Sequence, residues 1–118
     1  MAKYKTSTGE SLENSVIDRR ISKAKKEFLE DFFDEHNYFF CERTKRSDIH
    51  LECSHIISVR ICKASGRSEL AYSKKNLELL GRFSHQHIES QSNQIREDWY
   101  KAKQEGLTFE EFKLFNNL

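Results

Sequence analysis

The chain has 118 residues, 36% of them apolar and 33% charged, with a formal net charge of +1; this is the size of one domain, and a charge so near zero does not by itself announce a nucleic-acid binder. No run of about 18 or more apolar residues occurs, which excludes a membrane-spanning helix, and the start Met1-Ala2-Lys3-Tyr4-Lys5 lacks the apolar stretch of a secretion signal. Three cysteines, Cys41, Cys53 and Cys62, argue against a closed disulfide framework and suit free thiols in a reducing, cytoplasmic setting.

From about Leu12 to Glu35 the residues Ile17, Ile21, Ala24, Phe28 and Phe32 recur at three- and four-residue steps, which predicts a long helix with one apolar face. His36-Asn37 ends it, and Tyr38 to Cys41 reads as an extended apolar segment. A polar turn over Thr44 to Asp48 precedes a second extended segment, Ile49 to Ile57. Val59 to Ser65 suits one or two helical turns stopped by Gly66. Asn76 to Leu80 is a short strand, and Ser84 to Gln104 reads as one long helix with Ile88, Ile95, Trp99 and Ala102 on one side, ended by Gly106. Thr108 and Glu111 have the spacing of a capping box and open a last helix carrying Phe109, Phe112 and Phe115. Trp99 and the phenylalanines are read as core, because large rings remove the most apolar area from water.

Charge is segregated along the chain. Arg19, Arg20, Lys23, Lys25 and Lys26 come with no acidic residue among them, and Glu27, Glu30, Asp31, Asp34 and Glu35 follow with no basic one. Between Ser58 and Arg82, Arg60, Lys63, Arg67, Lys74, Lys75 and Arg82 outnumber Glu69 and Glu78. Such cations displace condensed counterions from phosphate, so Arg19, Arg20, Arg60, Lys63, Arg67, Lys74, Lys75 and Arg82 are the candidate nucleic-acid contacts, against the plainer reading of a solvated surface.

Chemistry-bearing residues concentrate in the middle. Cys53-Ser54-His55-Ile56-Ile57-Ser58 puts a histidine at the end of an extended segment, Asn76-Leu77-Glu78-Leu79-Leu80 follows, and His85 stands nine positions after Asn76. Taken together these resemble the HNH (ββα-metal) endonucleases, whose pattern is an Asp-His or His-His pair, an Asn-Leu-x-x-Leu strand and a His nine residues after the Asn. The resemblance covers roughly residues 38 to 89, and the Ser-His-Ile-Ile-Ser run after a basic helix is similar to small phage or prophage members. It implies an α+β fold: a central ββα-metal motif over residues 38–89, a long N-terminal helix within 1–37 and a helical extension over 90–118. It further implies a metal-dependent hydrolase of DNA, with His55 as general base, its ring polarised by a backbone carbonyl and oriented partly through Asn76.

Elementary chemistry supports those roles independently. Phosphodiester hydrolysis needs a deprotonated water and a cation to stabilise charge on the phosphate, and a neutral imidazole with a pKa near neutrality is suited to take the water's proton. By the resemblance His85 ligates a divalent ion (Mg²⁺, Mn²⁺, Ni²⁺ or Zn²⁺); Glu89, one helical turn on, shares its face, and Ser54 stands where the family carries a ligand. Ser54 is neutral, so the site is expected to bind hard cations weakly unless Glu52, His50 or Glu89 supplies the missing ligand. Many family members carry two Cys-x-x-Cys pairs for a structural zinc. The corresponding positions here are Cys41, Thr44, Gly81 and Ser84, so no structural zinc is expected, and Phe39, Phe40 and Phe83 are expected to pack in its place. A catalytically inactive module that keeps the same scaffold and binds nucleic acid is the alternative.

Overall fold

A computed structural model describes residues 2–118. It is a mixed α/β structure with two small antiparallel sheets and a long N-terminal helix. The first sheet pairs β1 (Lys3–Lys5) with β2 (Ser11–Glu13). Nothing in the sequence pattern signals this hairpin, because its strands are too short to show an alternation; Thr6 closes the turn, accepting on its hydroxyl from the Glu10 backbone at 3.1 Å, with Gly9 at φ +92°.

Helix α1 (Asn14–His36) starts two residues later than the periodicity predicts, since Leu12 is spent in β2. Ile17, Ala24 and Phe32 of the predicted stripe are buried and Ile21 and Phe28 partly so; each such side chain contributes about 1.5–3 kcal/mol when fully removed from water. The left-handed Asn37 (φ +67°) ends the helix by donating its N–H to the Phe33 carbonyl at 2.7 Å. Tyr38 to Cys41 is not a strand, contrary to expectation: Tyr38 and Phe39 are exposed, while Phe40 turns in against Phe32 and Leu79. The neighbouring Glu42 does reach the sheet. Its N–H donates to the Leu79 carbonyl (2.9 Å), and its carboxylate accepts from the Leu79 N–H (2.6 Å).

The second sheet pairs β3 (Leu51–His55) with β4 (Leu77–Gly81), Ser54 opposite Glu78 and His55 opposite Leu77. Between them lie α2 (Val59–Ala64), capped by the Ser58 hydroxyl, and two 3₁₀ turns, Ser68–Tyr72 and Lys74–Asn76. Every residue of β4 is buried, because α1 and the Phe40 region cover one face through Leu79 while Leu80 packs on Trp99, Ile88 and Phe112 on the other.

The expected single helix from Ser84 to Gln104 is two: α3 (Arg82–Ser90) and α4 (Asn93–Gln104). Ser92 breaks it, accepting from the Ile95 N–H at 3.1 Å as an N-cap in extended conformation. After Gly106 (φ +91°), the capping box forms as expected and opens α5 (Phe109–Asn116). Among the described residues no helix is long and apolar enough to cross a membrane.

Candidate active site

The end of β3, the start of α3 and parts of α1 and α4 border a cleft of about 430 Å³ lined by His55, Ser54, His85, Glu89, Lys25 and Arg96 together with Cys53, Ser58 and Val59. His55, Ser54, His85 and Glu89, far apart in sequence, therefore share one cavity. Antiparallel pairing places the end of β3 beside the start of β4, and the tight passage from Gly81 into Arg82 turns α3 back across the hairpin.

His55 Nε2 lies 2.7 Å from the Ala71 carbonyl oxygen, to which it donates, leaving Nδ1 as the ring's lone-pair nitrogen. Burial, opposed by the Ala71 bond and reinforced by the charges of Lys25, Arg96 and His85, holds the His55 pKa below its ordinary 6.5. This balance favours the neutral imidazole.

Asn76 is fully buried and does not touch the cleft. Its side-chain oxygen accepts from Ile57 N at 2.8 Å, and its nitrogen donates to Ile57 O and Leu70 O, both at 3.0 Å. It joins the segment after β3 to the turn that carries the Ala71 carbonyl, and so fixes His55 through the backbone on both sides. The link between Asn76 and His55 is indirect.

His85 stands between two carboxylates, with Glu89 Oε1 2.9 Å from Nε2 and Glu52 Oε2 3.4 Å from Nδ1. Ser54 is 2% exposed, and its hydroxyl has no hydrogen-bond partner among the described residues. A buried hydroxyl without a partner costs free energy, so one beside a cleft is a place for a ligand atom. Among the described residues no three His, Cys, Asp or Glu side chains converge as they would around a metal ion: Glu52 and Glu89 hold opposite edges of the ring. His50, a candidate source of the missing ligand, is exposed and does not line the cleft.

The cations expected to contact nucleic acid divide into two sets. Arg20 donates to the Tyr72 hydroxyl and pairs with Glu10, Lys63 donates to Asn14, Arg67 pairs with Glu97, and Lys74 pairs with Asp31. Arg19, Arg60, Lys75 and Arg82 are exposed and have no side-chain partner among the described residues. Sequence reasoning did not single out Arg96 or Lys25 as parts of the cleft, because nothing local marks a helical Arg in Asn93-Gln94-Ile95-Arg96 as adjoining a histidine 41 positions earlier.

A second group comprises the four positions compared with cysteine pairs. Cys41 Sγ lies 3.5 Å from Ser84 Oγ. Burial raises its pKa, but hydrogen bonds from the Gly81 and Thr44 backbones and the Thr44 and Ser84 hydroxyls outweigh this and bring the thiol down to about 7. Cys41, Thr44, Gly81 and Ser84 thus meet in space with one thiol among them. The expected packing of three phenylalanines there is corrected: Phe40 is buried, Phe39 is exposed, and Phe83 is 85% exposed, because the first turn of α3 points its ring to solvent.

Comparison with protein-family models, with curated proteins and with solved structures returned no match.

Proposed function

We propose that the chain is a metal-dependent endonuclease of the HNH type, cleaving phosphodiester bonds of DNA in the cleft between β3 and α3. The reading rests on one observation: a neutral histidine at the end of a hairpin strand, its Nε2 committed to a backbone carbonyl, shares a 430 Å³ cleft with a histidine–glutamate pair on the next helix. The strand–strand–helix order and the meeting of Cys41, Thr44, Gly81 and Ser84 add support from a part of the fold unrelated to chemistry.

In this reading His55 Nδ1 takes the proton of the attacking water, and the Ala71 carbonyl keeps the ring in the tautomer that exposes Nδ1 and steadies the imidazolium that forms. Asn76 acts through the backbone as a positioning residue. His85 and Glu89 are the donors that would hold a divalent ion, with the unpartnered Ser54 hydroxyl beside them; one carboxylate and one imidazole suit an ion that keeps several waters. Such an ion supplies Lewis-acid stabilisation of charge on the phosphate and the leaving oxygen. Glu52 orients His85 from the other ring nitrogen, as carboxylates commonly do for histidine ligands.

A plasmid-nicking assay with Mg²⁺, Mn²⁺ and Ni²⁺ tests this. The His55→Ala variant is expected to lose at least about 10²-fold in rate, the usual contribution of a general base, while melting within a few degrees of wild type. His85→Ala is expected to lose metal binding by calorimetry as well as activity. Unchanged nicking by His55→Ala removes the base from the mechanism; DNA binding by wild type without cleavage in any of the three ions replaces the enzyme with a binding module on the same scaffold.

A further inference from the structure

The two cations of the cleft come from outside the hairpin and its following helix. Lys25 reaches in from α1 and Arg96 from α4. Arg96 donates through Nε to the Ile56 carbonyl (2.6 Å) and through Nη2 to the His55 carbonyl (2.9 Å). Neither Lys25 nor Arg96 forms an ion pair among the described residues. A half-buried guanidinium held by neutral carbonyls is costly unless anions balance it, and against the two cations Glu89 is, among the described residues, the one carboxylate lining the cleft. Desolvation lowers the Arg96 pKa, against the opposing pull of the Glu89 carboxylate. Ser54 lines the same cleft, and its hydroxyl, in a residue only 2% exposed, lacks a partner among the described residues. By contrast Arg20, Arg67 and Lys74 are already balanced by Glu10, Glu97 and Asp31.

We propose that Arg96, Lys25 and the Ser54 hydroxyl form the seat of a single phosphate group in the cleft, so that the phosphodiester is held there by Arg96 of α4 and by one member of the basic run of α1 rather than by Arg19, Arg20 or the cations between Ser58 and Arg82. Arg96 has two tasks. Its Nε and Nη2 fix the backbone of His55 and Ile56, and its remaining Nη1 is free to donate to a phosphate oxygen next to the imidazole. Lys25 supplies a second charge on a flexible stem, which adapts to the phosphate without setting its orientation. A phosphate fits better than a carboxylate, because the donors approach from three elements and a tetrahedral phosphate spreads its oxygens around phosphorus, whereas the two oxygens of a carboxylate lie in one plane. The proposal deepens the nuclease reading, yet the seat itself needs no cleavage.

The test titrates metal-free protein with inorganic phosphate, with thymidylyl-thymidine and with acetate, following backbone amides and arginine Nε–H groups by NMR. Both phosphates are expected to shift His55, Ile56 and the Arg96 Nε–H saturably, and acetate to leave them unmoved. Losing one charge-assisted hydrogen bond is worth roughly tenfold or more in affinity. Lys25→Gln, which leaves every backbone hydrogen bond in place, should therefore weaken both phosphates by about that factor, and Arg96→Gln by more. Arg96→Lys should recover part of the loss, and Arg46→Gln, in the exposed Arg46–Asp48 pair, should change nothing. Shifts confined to the Arg19, Arg60 or Arg82 surface, equal shifts with acetate, or unaltered affinity in Lys25→Gln overturn the seat. Phosphate binding at the cleft in a protein that cleaves no DNA would retain the seat and dismiss the nuclease, whereas cleavage without such binding would do the reverse.

Discussion

His55 is half-buried with one ring nitrogen fixed, and the sign of its pKa shift makes a definite prediction. Burial, with Lys25, Arg96 and His85 nearby, favours the neutral ring, so the folded-state pKa lies below the unfolded value of about 6.5. The acid limb of kcat/KM should therefore fall below pH 6.5. The same shift links to stability. Above pH 6.5 both states hold a neutral ring; as pH drops from 6.5 toward the lowered value, the unfolded chain binds the proton first and stability declines. A limb above 6.5, measured with metal saturating at each pH, would mean that the base is another group. The histidine is recognisable in the sequence from its neighbours. Its protonation state is not, since that depends on the Ala71 carbonyl sixteen residues away and on charges from α1, α3 and α4.

Among the elements, the segment between β3 and β4 depends most on a single side chain. Asn76 spends its amide on three backbone groups of Ile57 and Leu70. Asn76→Ala leaves those groups unpaired in a buried place, at a cost of about 2–4 kcal/mol, and should reduce cleavage even though Asn76 touches no reactant. Urea unfolding of Asn76→Ala beside His55→Ala separates the roles: the first should lose stability and activity together, the second activity with little stability. Equal stability of the two would place Asn76 outside this framework. The division of the Ser84 to Gln104 helix belongs to the same scale. Apolar periodicity runs on through Ile88, Ile95 and Trp99, so a pattern alone joins the two halves, while the Ser92 cap and the extended Gln91 part them.

Across the whole molecule a buried ion pair ties the C-terminal helices to the sheet. Arg43 and Glu78, with side chains 6% and 1% exposed, meet at 2.9 Å; Trp99 Nε1 donates to the same carboxylate at 3.0 Å, and the Arg43 guanidinium stacks on Phe109 at 3.8 Å. Glu78→Ala strands a buried guanidinium and should cost about 3–5 kcal/mol, whereas replacing both partners by apolar residues, as in Arg43→Met with Glu78→Leu, should recover much of that. Denaturant midpoints of the single and double variants check this. The charge distribution yields a second prediction. DNA affinity should fall with salt, and Arg19→Gln or Lys75→Gln should flatten the dependence by about one unit for each phosphate no longer neutralised. Arg20→Gln and Lys74→Gln should flatten it less, because those side chains are held by Tyr72 and Asp31. An affinity indifferent to salt would leave these cations as ordinary surface.

Local period and spacing carry what can be read from the residues in order. The apolar stripe of α1, the Asn37 stop, the capping box at Thr108 and the order of His55, Asn76 and His85 all follow from residues within a few turns of one another. Only the tertiary structure decided what depends on contacts across tens of residues. Arg96 and Lys25 enter the cleft because α4 and α1 pack against the end of β3; Arg20 and Lys74 are occupied because their partners lie 52 and 43 positions away. Phe83 faces solvent because α3 turns at Gly81 with its first residues outward. Local propensity specifies which face of an element is apolar, but it says nothing about which other element that face meets. The balance of charges in a cleft is a property of that meeting.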